Sequence, residues 1–228
     1  LNDANKDAVD VERFTEDIEQ VAAKLSSNEE QIVMRRINYV KQRLVELYKR
    51  NLVKINHSVL ELICAKHFIK YGYDVDVERQ LNDVLICDVY ASKGDNVFIV
   101  EIETGFVPPE HALDPVTYTA ARVASKIARY SAFAGKFALA TPVLSLLPVQ
   151  ELFLKPPRYR NKEEVARVKA LCDRYYSNPP ISMEEIKNSR LHSIMIINAD
   201  DARVIEIEPE TYVESIKASI DRVGIKFY

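Results

Sequence analysis

An α/β fold is predicted for this chain of 228 residues, on three observations. A helix-period segment is followed by three stretches that alternate with period two, and these by a further helix and strand. The resulting order is α-β-β-β-α-β, which predicts a mixed central sheet flanked by helices. A hydrophobic fraction of 47% at this length is enough to bury a full core. The longest apolar runs, such as Ile194 to Ile197, fall far short of the ~20 residues that a membrane span needs, so no membrane partner is expected.

The chain begins helically. Asp10 can cap a helix carrying Val11, Phe14, Ile18, Val21 and Leu25 on one face. Ser26-Ser27-Asn28 breaks it, and a longer amphipathic helix runs from Glu29 to about Arg50, with Ile32 or Val33, Ile37, Val40, Leu44 and Leu47 inward. Its polar side bears Arg35, Arg36, Lys41, Arg43, Lys49 and Arg50. Across 28–55 seven basic residues face three acidic ones, which suits a solvated face, a phosphate-facing element or a dimer-forming one. Asn56 can cap the next helix, over about 57–71, and Gly72 ends it. Strands follow at 73–77, 84–90 and 97–103. Lys93-Gly94-Asp95-Asn96 signals a hairpin between the last two. After a proline-rich loop from Gly105, Asp114-Pro115 opens a helix to about Ala134, and Lys136 to Thr141 forms a fourth strand.

Beyond Pro148 the pattern gives helices at about 161–176 and from Ser182, where Glu185 stands at capping-box spacing. Strands at 191–198 and 203–208 and a last helix from Pro209 to about Val223 complete the chain. The basic, proline-broken segment from Lys155 to Lys162, with Arg158 and Arg160, reads as an exposed loop. Three segments result: a helical extension over 1–55, a core over 56–148 and an α+β extension over 149–228.

Cys64, Cys87 and Cys172 lie far apart without a CxxC pair, so they read as buried apolar residues, not as a disulfide framework or a zinc site. Net charge is −3, so a nucleic-acid partner must be argued from local patches. Few glycines and many Lys, Glu, Arg, Ile and Val residues resemble a thermophile's composition. The first residues show neither a basic n-region followed by an apolar stretch nor an initiator Met, from which a processed, cytoplasmic chain is expected. GxxxxGK[ST], GxGxxG and GxSxG are all missing, so no nucleotide cofactor is expected.

Asp88 interrupts an apolar strand, where a carboxylate is costly to bury unless it is paired or binds a metal. Glu101 and Glu103 alternate with Val100 and Ile102, so both project from one face. If the hairpin aligns Asp88 near Glu101, three carboxylates converge and need a cation, and hard oxygen ligands suit Mg²⁺ or Mn²⁺. A solvated acidic strand fits the same letters. On the following helix Arg122, Lys126 and Arg129 form one stripe with Tyr130 beside it.

The order of elements around Asp88 and Glu101-Ile102-Glu103 resembles the restriction-endonuclease-like core of the PD-(D/E)XK nuclease superfamily, over about residues 56–142. This superfamily includes restriction endonucleases, Holliday-junction resolvases and RecB-like domains. The resemblance implies a Mg²⁺- or Mn²⁺-dependent DNA endonuclease that hydrolyses phosphodiester bonds, with metal at Asp88 and Glu101. Cys87 stands where the motif has proline, and Glu103 where it usually has lysine. The resemblance further implies Glu103 as the group orienting water, Lys126 as a displaced lysine, Tyr130 as an accessory residue and Glu61 as a metal ligand on the first helix. His57 and His67 lack HxxxH spacing and read as polar helix residues. Arg35, Arg36, Arg43, Arg122, Arg129, Arg158 and Arg160 are expected to hold the DNA backbone, and a homodimer is expected because two strands must often be cut. The departure at Glu103 keeps a second possibility open, a nuclease fold that binds nucleic acid or protein without cutting.

Overall fold

The computed structural model describes residues 2–223, with side chains described for residues 9–219. The described helices are α1 (Asn2–Ser26), α2 (Gln31–Lys49), α3 (Ile55–Lys70), α4 (Pro115–Tyr130), α5 (Lys162–Asp173), α6 (Met183–Asn188) and α7 (Pro209–Val223). The strands are β1 (Asp74–Gln80), β2 (Ile86–Lys93), β3 (Asn96–Ile102), β4 (Lys136–Pro142), β5 (Ser193–Asn198) and β6 (Arg203–Ile207). Six strands form one sheet in the order β1-β2-β3-β4-β5-β6. The β1–β2 pair is antiparallel and the β3–β4 pair parallel, so the sheet is mixed, and α3-β1-β2-β3-α4-β4 is the order predicted.

The chain divides into two compact units. The first takes in the chain up to Val97 together with Ile197–Val204. Its core is the meeting of three helices: Phe14, Ile18 and Leu25 of α1 are buried with Ile37, Val40, Leu44 and Leu47 of α2 and with Leu62 and Ile63 of α3. Phe14 stacks on Tyr48 with ring centres 3.9 Å apart. Helix α1 starts well before Asp10, which sits inside it and is no cap. Asn56 is no cap either: Lys54 occupies that place without a side-chain bond. The C-terminal ends are better defined. Asn51 (φ 57) and Gly72 (φ 80) take left-handed conformations just past α2 and α3. There the Leu52 and Tyr73 amides reach back to the carbonyls of Leu47 and Phe68, so both helices close in the same six-to-one pattern.

The second unit takes in Phe98–Ile196 and the chain from Ile205. Parallel strands need a crossover, and α4 supplies it between β3 and β4. Strand β4 is buried from Phe137 to Thr141, as expected of a parallel strand covered on both faces. Asp114 precedes α4 but makes no capping bond, since its carboxylate accepts from the Tyr175 hydroxyl. Asn161 and Ser182 each form a reciprocal capping box, with Glu164 and Glu185.

The segment from Lys155 to Lys162 corrects one expectation. Arg160 is 5% exposed, and its Nη1 donates to the carbonyls of Ile186, Lys187 and Ser189 while Nε donates to that of Lys155. Carbonyls at the end of α6 are orphaned acceptors, and a guanidinium satisfies several at once. Arg160 is therefore an internal tie and presents no surface to a DNA backbone, although its neighbour Arg158 is exposed.

Candidate metal centre

Three elements of the first unit bring four ligand groups together. On α3, His57 and Glu61 are four residues apart and share a face, with Nε2 to carboxylate oxygen at 3.7 Å. The helix around them is interior: Leu60, Leu62, Ile63, Cys64 and Ala65 are all buried, and Glu61 itself is 0% exposed. On β2, Asp88 alternates with the buried Cys87 and Val89, and its carboxylate lies 3.3 Å from His57 Nε2. The β1–β2 register pairs Val77 with Val89 and Arg79 with Cys87, which sets Glu78 opposite Asp88.

Glu78 is held at φ 48 inside a strand. A side chain with a Cβ pays about 1–2 kcal/mol for that left-handed conformation, and such distortions cluster at functional sites. Ligand atoms of His57, Glu61, Glu78 and Asp88 all lie within 4.8 Å of one another. At that separation two ionised carboxylates repel by about 3 kcal/mol at an effective dielectric near 20. One imidazole and three carboxylates fit a divalent cation of the hard or borderline class, so the group can hold a metal ion.

The other predicted carboxylates lie in the second unit. Glu101 on β3 and Glu103 just past its end are 2% and 3% exposed, and each meets a cation from α4. Lys126 Nζ is 3.2 Å from the Glu101 carboxylate and donates to the Ile102 carbonyl at 2.8 Å. Arg122 donates to Glu103, whose Oε1 also accepts from the Gly105 amide. The match has a metric reason: four helical residues rise about 6 Å and two strand residues about 6.6 Å, so residues 122 and 126 face residues 103 and 101. Tyr130 closes the helix.

Aromatic side chains continue from Arg122. Its guanidinium lies over Tyr118, His111 stacks on Tyr118 at 4.2 Å, and Tyr175 meets both rings edge-on. The bond to Asp114 raises the Tyr175 pKa, and burial beside Tyr118 raises that of Tyr176.

The arginines expected on DNA divide by environment. Arg35 is exposed. Arg36 is tied to Asp74 at 2.8 Å and to the Tyr73 carbonyl, and Arg43 lies 3.9 Å from Asp76. Arg129 donates to the Pro179 carbonyl, and Arg158 lies over the Tyr159 ring.

No family model matches the chain, and no curated protein matches it. A solved structure, the CdiA-CT/CdiI toxin and immunity complex from Burkholderia pseudomallei, is similar at 17% identity and a TM-score of 0.28, over 68% of this chain and 86% of that chain. A likeness of that size bears on neither fold nor activity.

The structure thus joins two of the predicted site residues, Glu61 and Asp88, and adds two that were not expected in that role. His57 carried a usable signal, the four-residue step to Glu61. Glu78 carried none, because its place depends on the β1–β2 register and on a backbone angle that no local pattern encodes. All three cysteines are buried, as predicted, and no described helix is long and apolar enough to cross a membrane.

Proposed function

We propose that the protein is a metal-dependent DNA endonuclease that hydrolyses phosphodiester bonds. The observation that carries this is the convergence of His57, Glu61, Glu78 and Asp88 on one point. Glu61, Glu78 and Asp88 supply the oxygen ligands and His57 the nitrogen, a set suited to Mn²⁺ and, through the carboxylates, to Mg²⁺. A divalent cation held there supplies Lewis-acid stabilisation of the charge that develops on a phosphodiester under attack. The burial of Glu61 fixes its carboxylate, and the β1–β2 pairing fixes Asp88, so the ligands need little reorganisation.

The resemblance adds Glu101, Glu103 and Lys126 to the reaction, with Tyr130 as accessory. A second reading, a nuclease fold that binds without cutting, draws on the ion pairs that engage Glu101 and Glu103 with Lys126 and Arg122. The two are separated by incubating linear, branched and single-stranded DNA with Mg²⁺ or Mn²⁺. Wild-type protein is expected to cleave at least one of them, EDTA to stop it, and Asp88→Asn to lower the rate by about 10²–10³-fold. Equal cleavage by wild type and Asp88→Asn overturns the site, and Lys126→Met tests the resemblance separately. A homodimer, if two strands are cut together, is measured by light scattering.

A further inference from the structure

We propose that a cavity of about 410 Å³ in the first unit, beside α2 and the β1–β2 ribbon, receives an unpaired nucleotide of a polynucleotide strand. The use made of that strand rests on the endonuclease reading; the cavity itself does not. Its volume lies within the roughly 300–1,000 Å³ of ligand sites. Arg35 and Tyr39 of α2, Arg79 of β1 and Tyr90 of β2 line it, together with Asp74 and Asp76.

Charge and shape both select the ligand. Asp74 and Asp76 are already matched by Arg36 and Arg43. Arg35, among the described residues, makes no hydrogen bond or ion pair, and the Arg79 guanidinium lies 4.0 Å from the centre of the Tyr90 ring. Two positive charges are thus left for an anion. Tyr39 is 57% exposed, four residues along α2 from Arg35, and offers a flat face beside them. A flat aromatic face next to guanidinium groups is how single strands are held: the base stacks while the phosphate pairs with charge. A base inside a duplex has no free face, so the nucleotide must be unpaired.

The position relative to the metal centre follows from the strand. Asp88, Tyr90 and Ser92 alternate with the buried Cys87, Val89 and Ala91, so Asp88 and the cavity-lining Tyr90 project from one face of β2. Two strand residues span about 6.6 Å. On β1, Arg79 follows directly after the ligand Glu78. A strand whose base lies on Tyr39 therefore runs toward His57, Glu61, Glu78 and Asp88, which selects substrates with a single-stranded stretch next to the bond to be cut.

The test is fluorescence anisotropy in EDTA, where no cleavage occurs, with labelled oligothymidine about 20 nucleotides long, enough to exceed the ~4–16 nucleotides of a single-strand site. A duplex, an oligouridine and thymidine monophosphate serve as competitors. Tyr39→Ala is expected to weaken single-strand binding about tenfold. Arg35→Gln is expected to reduce the slope of affinity on salt by about one. Arg79→Lys should weaken binding despite keeping the charge, because the plane that stacks on Tyr90 is lost. Both Tyr39 and Arg35 are exposed, so these variants keep the fold.

Unchanged affinity in Tyr39→Ala and Arg35→Gln overturns the proposal, as does a duplex or the monophosphate competing as well as the single strand. Oligouridine tells whether the strand is read as RNA or DNA: equal competition supports a site for either, and weak competition supports one for DNA. Calorimetry with Mn²⁺ is run alongside. Loss of metal binding in Asp88→Asn with strand affinity retained supports both sites. No metal binding by the wild type overturns the endonuclease reading alone and leaves the cavity to be decided by the anisotropy.

Discussion

Arg160 shows how much one side chain can carry. Its Nη1 and Nε together reach four backbone carbonyls, and burial lowers its pKa to about 10, so it stays charged at neutral pH. Arg160→Ala is expected to cost about 3 kcal/mol in urea unfolding, because carbonyls at the end of α6 lose a charged donor. Arg160→Lys is expected to recover little, since an ammonium cannot reproduce the planar fork. His192 gives a pH dependence. Burial holds it below its ordinary 6.5, and its Nδ1 accepts from the Phe137 amide at 3.0 Å. The unfolded chain therefore binds the proton first. Stability is full above pH 6.5 and falls as the pH drops from there toward the lowered folded value, where the loss levels off. His192→Gln is expected to flatten that part of a melting-temperature profile. Glu78 sits in the opposite position, strained for a purpose. Glu78→Gly accepts φ 48 freely and also removes one of three clustered carboxylates. It is expected to leave the protein as stable or up to about 1 kcal/mol more so, while Mn²⁺ affinity in calorimetry falls.

At the scale of elements, the legibility of the sequence depended on range. Gly72, the capping box at Ser182, and Pro209 at the start of α7 were readable because each signal and its effect lie within one turn of helix. Asp10, Asn56 and Asp114 carry the same kind of letter but do not cap, and for Asp114 the reason is a tyrosine 61 residues away. Position alone made Glu101 and Glu103 readable as a pair projecting from one face. Their partners were less so: the stripe of Arg122 and Lys126 was visible, but not that it would lie on those carboxylates. Lys126→Met takes the cation from a carboxylate that is 2% exposed and is expected to cost about 3–5 kcal/mol. Replacing Glu101 and Lys126 together by methionines is expected to cost less than that single change, a comparison read directly in a double-mutant cycle.

For the molecule as a whole, the α/β architecture and the order of its elements were readable because binary patterning sets both. The metal centre was only half readable, because it depends on how three elements meet. A cation that binds the folded protein alone raises stability by mass action. At a free Mn²⁺ concentration 100 times its dissociation constant the gain is about 2.7 kcal/mol, which for a chain of 228 residues is a melting shift of about 5–10 °C. Asp88→Asn is expected to abolish that shift, and a wild type that melts at the same temperature with and without Mn²⁺ overturns the centre. The paired spacing of α4 and β3 has a consequence for how such a chain can change in length. One residue inserted between Arg122 and Lys126 turns the end of the helix by about 100°, so one ion pair survives only at the other's expense. An insertion in the loop before Pro115 leaves that spacing intact, so length variants are expected there sooner than between Arg122 and Lys126.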